Sequence, residues 1–91
     1  MEKVDTEILE QAIAKWGKQA QLLMVLEEMS ELQKEILKNI NRGKDNVAEI
    51  IDETADVEIM LTQLKYIYNI TDAVEKRIPI KLEKVKARLK G

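Results

Sequence analysis

Apolar residues recur along this chain at helical spacing in four stretches. The first runs from Ile8 to Trp16, with Asp5 or Thr6 placed to cap it and Gly17 as a natural break behind it. The second predicts a helix from about Lys18 to Asn41, striped by Leu22, Val25, Leu26, Met29, Leu32, Ile36 and Ile40. Asn41-Arg42-Gly43 stops it, with Gly43 at the position after the cap, where a left-handed residue is favoured. The third begins near Asp45 or Asn46 and ends about Tyr68. Its main stripe is Val47, Ile50, Ile51, Thr54, Val57, Leu61 and Leu64, while Ile59, Met60 and Ile67 fall off it. A helix apolar over so much of its circumference is central or interfacial. Asn69 to Asp72 reads as a polar turn, with Thr71 or Asp72 capping a fourth helix. Pro79 predicts a kink or break in that helix, because the ring disfavours helical angles at Ile78. A basic amphipathic end follows, with Lys81, Lys84, Lys86, Arg88 and Lys90.

The 91 residues suit one domain, 1–91, and composition supports the helical reading: 45% hydrophobic, 35% charged, three glycines and one proline leave little room for turns. The expected fold is an all-α four-helix bundle. A chain this short buries a modest core, so completion by self-association is expected. The net charge of −2 is not the footprint of a duplex-binding protein. The first residues, Met1-Glu2-Lys3-Val4-Asp5, carry no apolar signal region, and no apolar run of membrane-spanning length exists, so no membrane association and a cytoplasmic location are expected. Cysteine and histidine are both missing. That removes thiolate chemistry, imidazole general bases and imidazole metal ligands. Catalysis would have to run on carboxylates, Lys, Arg, Tyr and a metal.

The carboxylates that stand out are Glu27-Glu28-Met29-Ser30-Glu31 and, after 21 intervening residues, Glu53-Thr54-Ala55-Asp56. Positions i and i+3 lie about 60° apart around a helix, so Glu28 and Glu31 share a face, with Glu35 one turn on. Glu53 and Asp56 share another, which Glu49 extends. Seventeen acidic residues make such pairs common on solvated helix faces. These two differ in being bracketed by Leu26 and Leu32, and by Ile50, Ile51 and Val57. If helices two and three pair antiparallel, the short connection brings both pairs together. Gathered carboxylates must protonate, spread into water or bind cations. A hard cation such as Mg²⁺, which keeps several waters, suits an all-oxygen site shared with a phosphate substrate. A di-iron or di-manganese bundle site would want Glu-x-x-His, and there is no histidine.

With these motifs the chain resembles the MazG-type all-α nucleotide pyrophosphohydrolases, whose pattern is EExxE followed by ExxD. The resemblance extends to Trp16-Gly17, Gln21, Glu31-Leu32, Arg42-Gly43, Ala55-Asp56-Val57 and a terminal Lys81-Leu82 followed by Arg88, covering nearly the whole chain. It implies a MazG-like bundle, usually dimeric or tetrameric, with sites built across helices of more than one subunit. It also implies hydrolysis of nucleoside triphosphates between the α and β phosphates, giving monophosphate and pyrophosphate, for nucleotide-pool housecleaning. The implied metal ligands are Glu28, Glu31, Glu53 and Asp56, holding Mg²⁺ or, in its place, Mn²⁺. Glu27 and Glu31 are the candidates for orienting or deprotonating the attacking water, and Lys81 and Arg88 for neutralising the pyrophosphate. Two departures bear on that last element: Pro79 stands just upstream, and Val85 occupies a place where the family often has a polar residue.

Trp16 reads first as a packing residue, with contact to a nucleobase as the alternative. Lys15 and Gln21 are further nucleotide contacts, and Lys38 and Arg42 could meet phosphate or water. Glu58 falls on the apolar side of helix three and would need a partner if buried. Related activities, on dUTP or phosphoribosyl-ATP, stay open at this point, as does a non-catalytic helical dimerisation module.

Overall fold

Four helices form where the pattern places them: α1 Thr6–Trp16, α2 Lys18–Arg42, α3 Val47–Tyr68 and α4 Thr71–Lys90. The structure is a computed structural model and describes residues 5–91, so Met1 to Val4, on which the expectation about a leader partly rests, lie outside the described residues. About 90% of it is helical, with no strand among the described residues.

Local chemistry explains the boundaries. Asp5 caps α1, its side chain accepting a hydrogen bond from the Glu7 N–H at 3.0 Å. Gly17 then turns the chain at φ 91°, ψ 155°, a region glycine alone enters readily. Gly43 ends α2 in the left-handed conformation, φ 60°, ψ 27°, and its N–H returns to the Lys38 carbonyl. Asn69 closes α3 in the same conformation, φ 55°.

Asn46 precedes α3, but its side chain caps nothing and reaches back to α2 instead. Two expectations are corrected in α4. The residue ahead of α4 is Ile70, so neither Thr71 nor Asp72 caps it. Pro79 does not break α4, and Ile78 is helical with it. Residues 75–90 are all exposed, so the carbonyl that the proline leaves unbonded can be met by water.

The fold is organised by an antiparallel α2–α3 pair. Its seam follows alternating steps of four and three residues: Gln21, Val25, Glu28, Leu32 and Glu35 on α2, and Asn46 just ahead of α3 with Ile50, Glu53, Val57, Met60, Leu64 and Ile67 on it. Every one of these is buried or half-buried. α1 closes one end, where the Gln63 amide donates to the Leu9 carbonyl at 3.5 Å and the Tyr66 hydroxyl donates to Glu10 at 2.7 Å. Among the described residues, Leu9, Val25 and Met60 are the buried apolar side chains.

The expected stripes are only partly these seams. On α2, Leu26, Ile36 and Ile40 are 63%, 41% and 69% exposed, and on α3 Val47 and Ile51 are exposed as well. Met60, read from the sequence as lying off the stripe, is buried. α4 touches the rest through its first turns, where Val74 is its one half-buried residue. The radius of gyration, 15.9 Å, exceeds the roughly 12 Å of a compact chain of this length.

Candidate metal centre

The seam positions that pack α2 against α3 would ordinarily carry aliphatic side chains. Here Glu28 and Glu35 of α2 and Glu53 of α3 occupy them, interleaved with Val25, Leu32, Ile50 and Val57. Antiparallel pairing sets Glu35 opposite Asn46, next to the loop, and Glu28 opposite Glu53, two turns farther along. Asp56, one turn beyond Glu53, completes a group. Single carboxylate oxygens of Glu28, Glu53 and Asp56 all lie within 4.8 Å of one another.

The electrostatics follow from that crowding. Removal from water raises the Glu28 carboxyl above its ordinary value, helped by hydrogen bonding to and repulsion by Asp56, and by repulsion from Glu53 and Glu27. Glu53 is raised for the same leading reason, with Asp56, Glu31, Glu35 and Asp52 adding repulsion. Its Oε2 is out of contact with water and accepts no hydrogen bond. A buried carboxylate oxygen without a partner is costly and calls for a proton or a cation.

Glu35 behaves oppositely. Its carboxyl is held below the usual value, first by the Asn46 amide and then by Lys38. Asn46, 1% exposed, donates 2.8 Å hydrogen bonds to both the Glu35 backbone carbonyl and Glu35 Oε1. Its own oxygen accepts from the Asn39 amide at 3.2 Å, and that amide also donates to the Lys44 carbonyl at 3.1 Å. Lys38 completes Glu35 at 3.2 Å. This latch fixes the loop and the register that sets Glu28 beside Glu53. It was not legible in the sequence, where Asn46 read only as a possible start of the third helix and Glu35 as a neighbour of the first motif.

The expected site residues thus separate into groups. Glu28, Glu53 and Asp56 come together. Glu31 stands close enough to act on Glu53, while its Oε1 is met by the Lys34 ammonium at 3.4 Å on an exposed part of α2. Glu27 is exposed beside Glu28. Lys81 and Arg88 are exposed on α4, and among the described residues neither is ion-paired. Glu58, which would have needed a partner if buried, is exposed. Trp16 and Gln21 line one hollow together with Ala20 and Met24. Trp16 is 59% exposed, so it is not the packing residue that its position suggested.

The donor set fits a hard divalent cation. It is all oxygen, the donor type that such an ion takes. The orphaned Glu53 oxygen is an acceptor such an ion would satisfy. Among the described residues, no helix is long and apolar enough to cross a membrane. The chain matches no family model, no curated protein and no solved structure.

Proposed function

We propose that the protein is a Mg²⁺-dependent nucleoside triphosphate pyrophosphohydrolase, converting a (deoxy)nucleoside triphosphate and water into the monophosphate and pyrophosphate. The observation that carries this reading is the unpartnered Glu53 oxygen inside a carboxylate cluster set in a helix seam. The paired EExxE and ExxD motifs, with their resemblance to MazG-type enzymes, supply the reaction class.

Glu28, Glu53 and Asp56 are the residues that would hold the ion, with Glu31 at their margin. Bound there, Mg²⁺ supplies charge neutralisation at phosphate oxygens and a more acidic water. The water oxygen attacks the α phosphorus, the bond to the oxygen bridging α and β phosphates breaks, and pyrophosphate leaves. Glu31, or Glu27 beside it, accepts the water's proton. Lys81 and Arg88 offset the charge of the departing pyrophosphate.

Self-association belongs to the proposal. The chain exposes 7404 Å², against about 5,400 Å² for a folded monomer of this mass. That surplus of about 2,000 Å² exceeds the ~800 Å² that a standard interface takes from each partner. A dimer or tetramer would cover α4 and the outer apolar faces of α2 and α3, and would bring Lys81 and Arg88 toward a carboxylate cluster. The same exposed apolar surface also favours the alternative of a purely structural helical module.

The deciding experiment is product analysis with nucleoside triphosphates and Mg²⁺. Monophosphate with pyrophosphate, lost in Glu53→Gln, is the expected result. Stepwise release of single phosphates would sink the α–β cleavage, and no hydrolysis of any nucleotide would favour the structural module.

A further inference from the structure

Of the three glutamates in the α2–α3 seam, Glu35 is the one that stands outside the converging group. It lies seven residues beyond Glu28 on the same face of α2, a rise of about 10 Å. Both of its oxygens are engaged: Oε1 accepts from the Asn46 amide at 2.8 Å and Oε2 from the Lys38 ammonium at 3.2 Å. Glu35 is therefore not placed to ligate an ion held by Glu28, Glu53 and Asp56. It still acts on them through space, being one of the charges that repel Glu53.

Two features keep that charge in force. The Asn46 amide and the Lys38 ammonium hold the Glu35 carboxyl below its usual value, so it stays ionised while its seam neighbours are pushed toward their neutral forms. Lys38 does not cancel it. The lysine side chain is 36% exposed against 15% for Glu35, so water screens it more, and it stands three residues farther from the cluster along α2. The ion pair thus turns its negative end toward Glu53.

Asn46 supplies the other half of the arrangement. An aliphatic side chain would pack this position without any polar group to satisfy, whereas Asn46 needs partners that exist in one register only. It donates at 2.8 Å to both the backbone carbonyl and the carboxylate of Glu35, which fixes the side chain as well as the helix. In a hairpin displaced by one seam step, Asn46 would face Leu32 or Asn39, and Glu28 would face Ile50 or Val57 instead of Glu53.

We propose that Asn46 and Glu35 are positioning residues for the cation site: Asn46 clamps Glu35 in the register that joins Glu28 to Glu53, and Glu35 lends the site a negative charge without ligating the ion. This rests on the cation reading of the carboxylate cluster and is independent of which nucleotide, if any, is hydrolysed.

The test measures the Kd for Mn²⁺ from the EPR signal of the free aqua ion, which is lost on binding, with Mg²⁺ as competitor. Glu35→Gln keeps the shape and an acceptor for Asn46 and removes only the charge. Its Kd is expected to rise about three- to tenfold, the effect of one charge some 10 Å from a divalent ion in a largely aqueous dielectric. Glu35→Asp keeps the charge and stays within about twofold of wild type. Lys38→Gln removes the counter-ion and lowers the Kd. Asn46→Ala raises the Kd, and in its background the Glu35→Gln step shrinks, because the charge is no longer held in place. Circular dichroism checks that each variant is folded; should Asn46→Ala not fold, the three α2 variants carry the test. An unchanged Kd in Glu35→Gln would overturn the proposal while the cation reading stands. An equal loss in Glu35→Asp and Glu35→Gln would make Glu35 a ligand or a packing residue and overturn it as well. Full additivity of Asn46→Ala and Glu35→Gln would break the link between the two residues. A wild-type protein that binds neither Mn²⁺ nor Mg²⁺ would remove the cation reading and the proposal with it.

Discussion

At Glu53, the residue that packs the seam is the residue that disrupts it. Its carboxyl is raised by burial and by Asp56, so the folded state binds its proton more tightly than the unfolded chain does. The sign follows: metal-free stability is undiminished below the ordinary carboxylate value of 4.5 and falls as pH rises through the raised one. Glu28 works in the same direction. Glu35, held below its ordinary value, works against them, contributing stability above 4.5 that is lost as pH falls through its lowered value. Glu53→Gln therefore raises the melting temperature of metal-free protein at neutral pH and abolishes stabilisation by Mg²⁺. Calorimetry with and without Mg²⁺ checks both halves, and a Glu53→Gln protein still stabilised by the ion would remove Glu53 from the site. Asn46 has the opposite character. Asn46→Ala strips two hydrogen bonds from Glu35 in a place sealed from water, at a cost of about 2–3 kcal/mol, read by urea unfolding.

Among the elements, the α1–α2 joint depends on one residue. Gly17 sits at φ 91°, ψ 155°, with nothing within 4 Å of where a Cβ would go, so Gly17→Ala costs backbone strain and no collision. The expected loss is about 1–3 kcal/mol. It would loosen α1 from α3 and lengthen or break the Tyr66–Glu10 bond, which amide hydrogen exchange in α1 would report. α4 shows how far local preference can be overridden. Pro79 costs an interior helix about 3 kcal/mol, yet α4 remains continuous with hardly any packing of its own. Pro79→Ala is expected to slow exchange across residues 79–90, while the melting of the α2–α3 pair changes little.

For the molecule as a whole, the surplus of exposed surface sets the expectation. Leu26 and Ile40 lie on the outer apolar face of α2, away from the carboxylate seam. Replacing both with Arg would leave the fold of the hairpin intact and place buried charges in any interface formed there. Light scattering should give a multiple of 10.5 kDa for the wild type and 10.5 kDa for the double variant. A wild-type mass of 10.5 kDa would defeat the proposed self-association.

Helix number, helix ends and the spacing of the acidic motifs were legible in the chain, because they follow from local rules: the 3.6-residue period, Asp5 as a cap, and glycine at 17 and 43 where the chain turns with positive φ. Which face of each helix turns inward was not. Leu26 and Ile40 are as apolar as Val25 and Leu32, and periodicity cannot rank faces that are apolar on both sides. Packing of α2 on α3 made that choice, putting Glu28 opposite Glu53 and leaving the broader apolar stripe outside. The same step made Asn46 a latch, since a side chain's partner eleven residues back exists only once the hairpin has closed. Four helices and eight notable carboxylates are properties of the sequence; three carboxylates converging on an oxygen with no partner is a property of the register, which no local preference encodes.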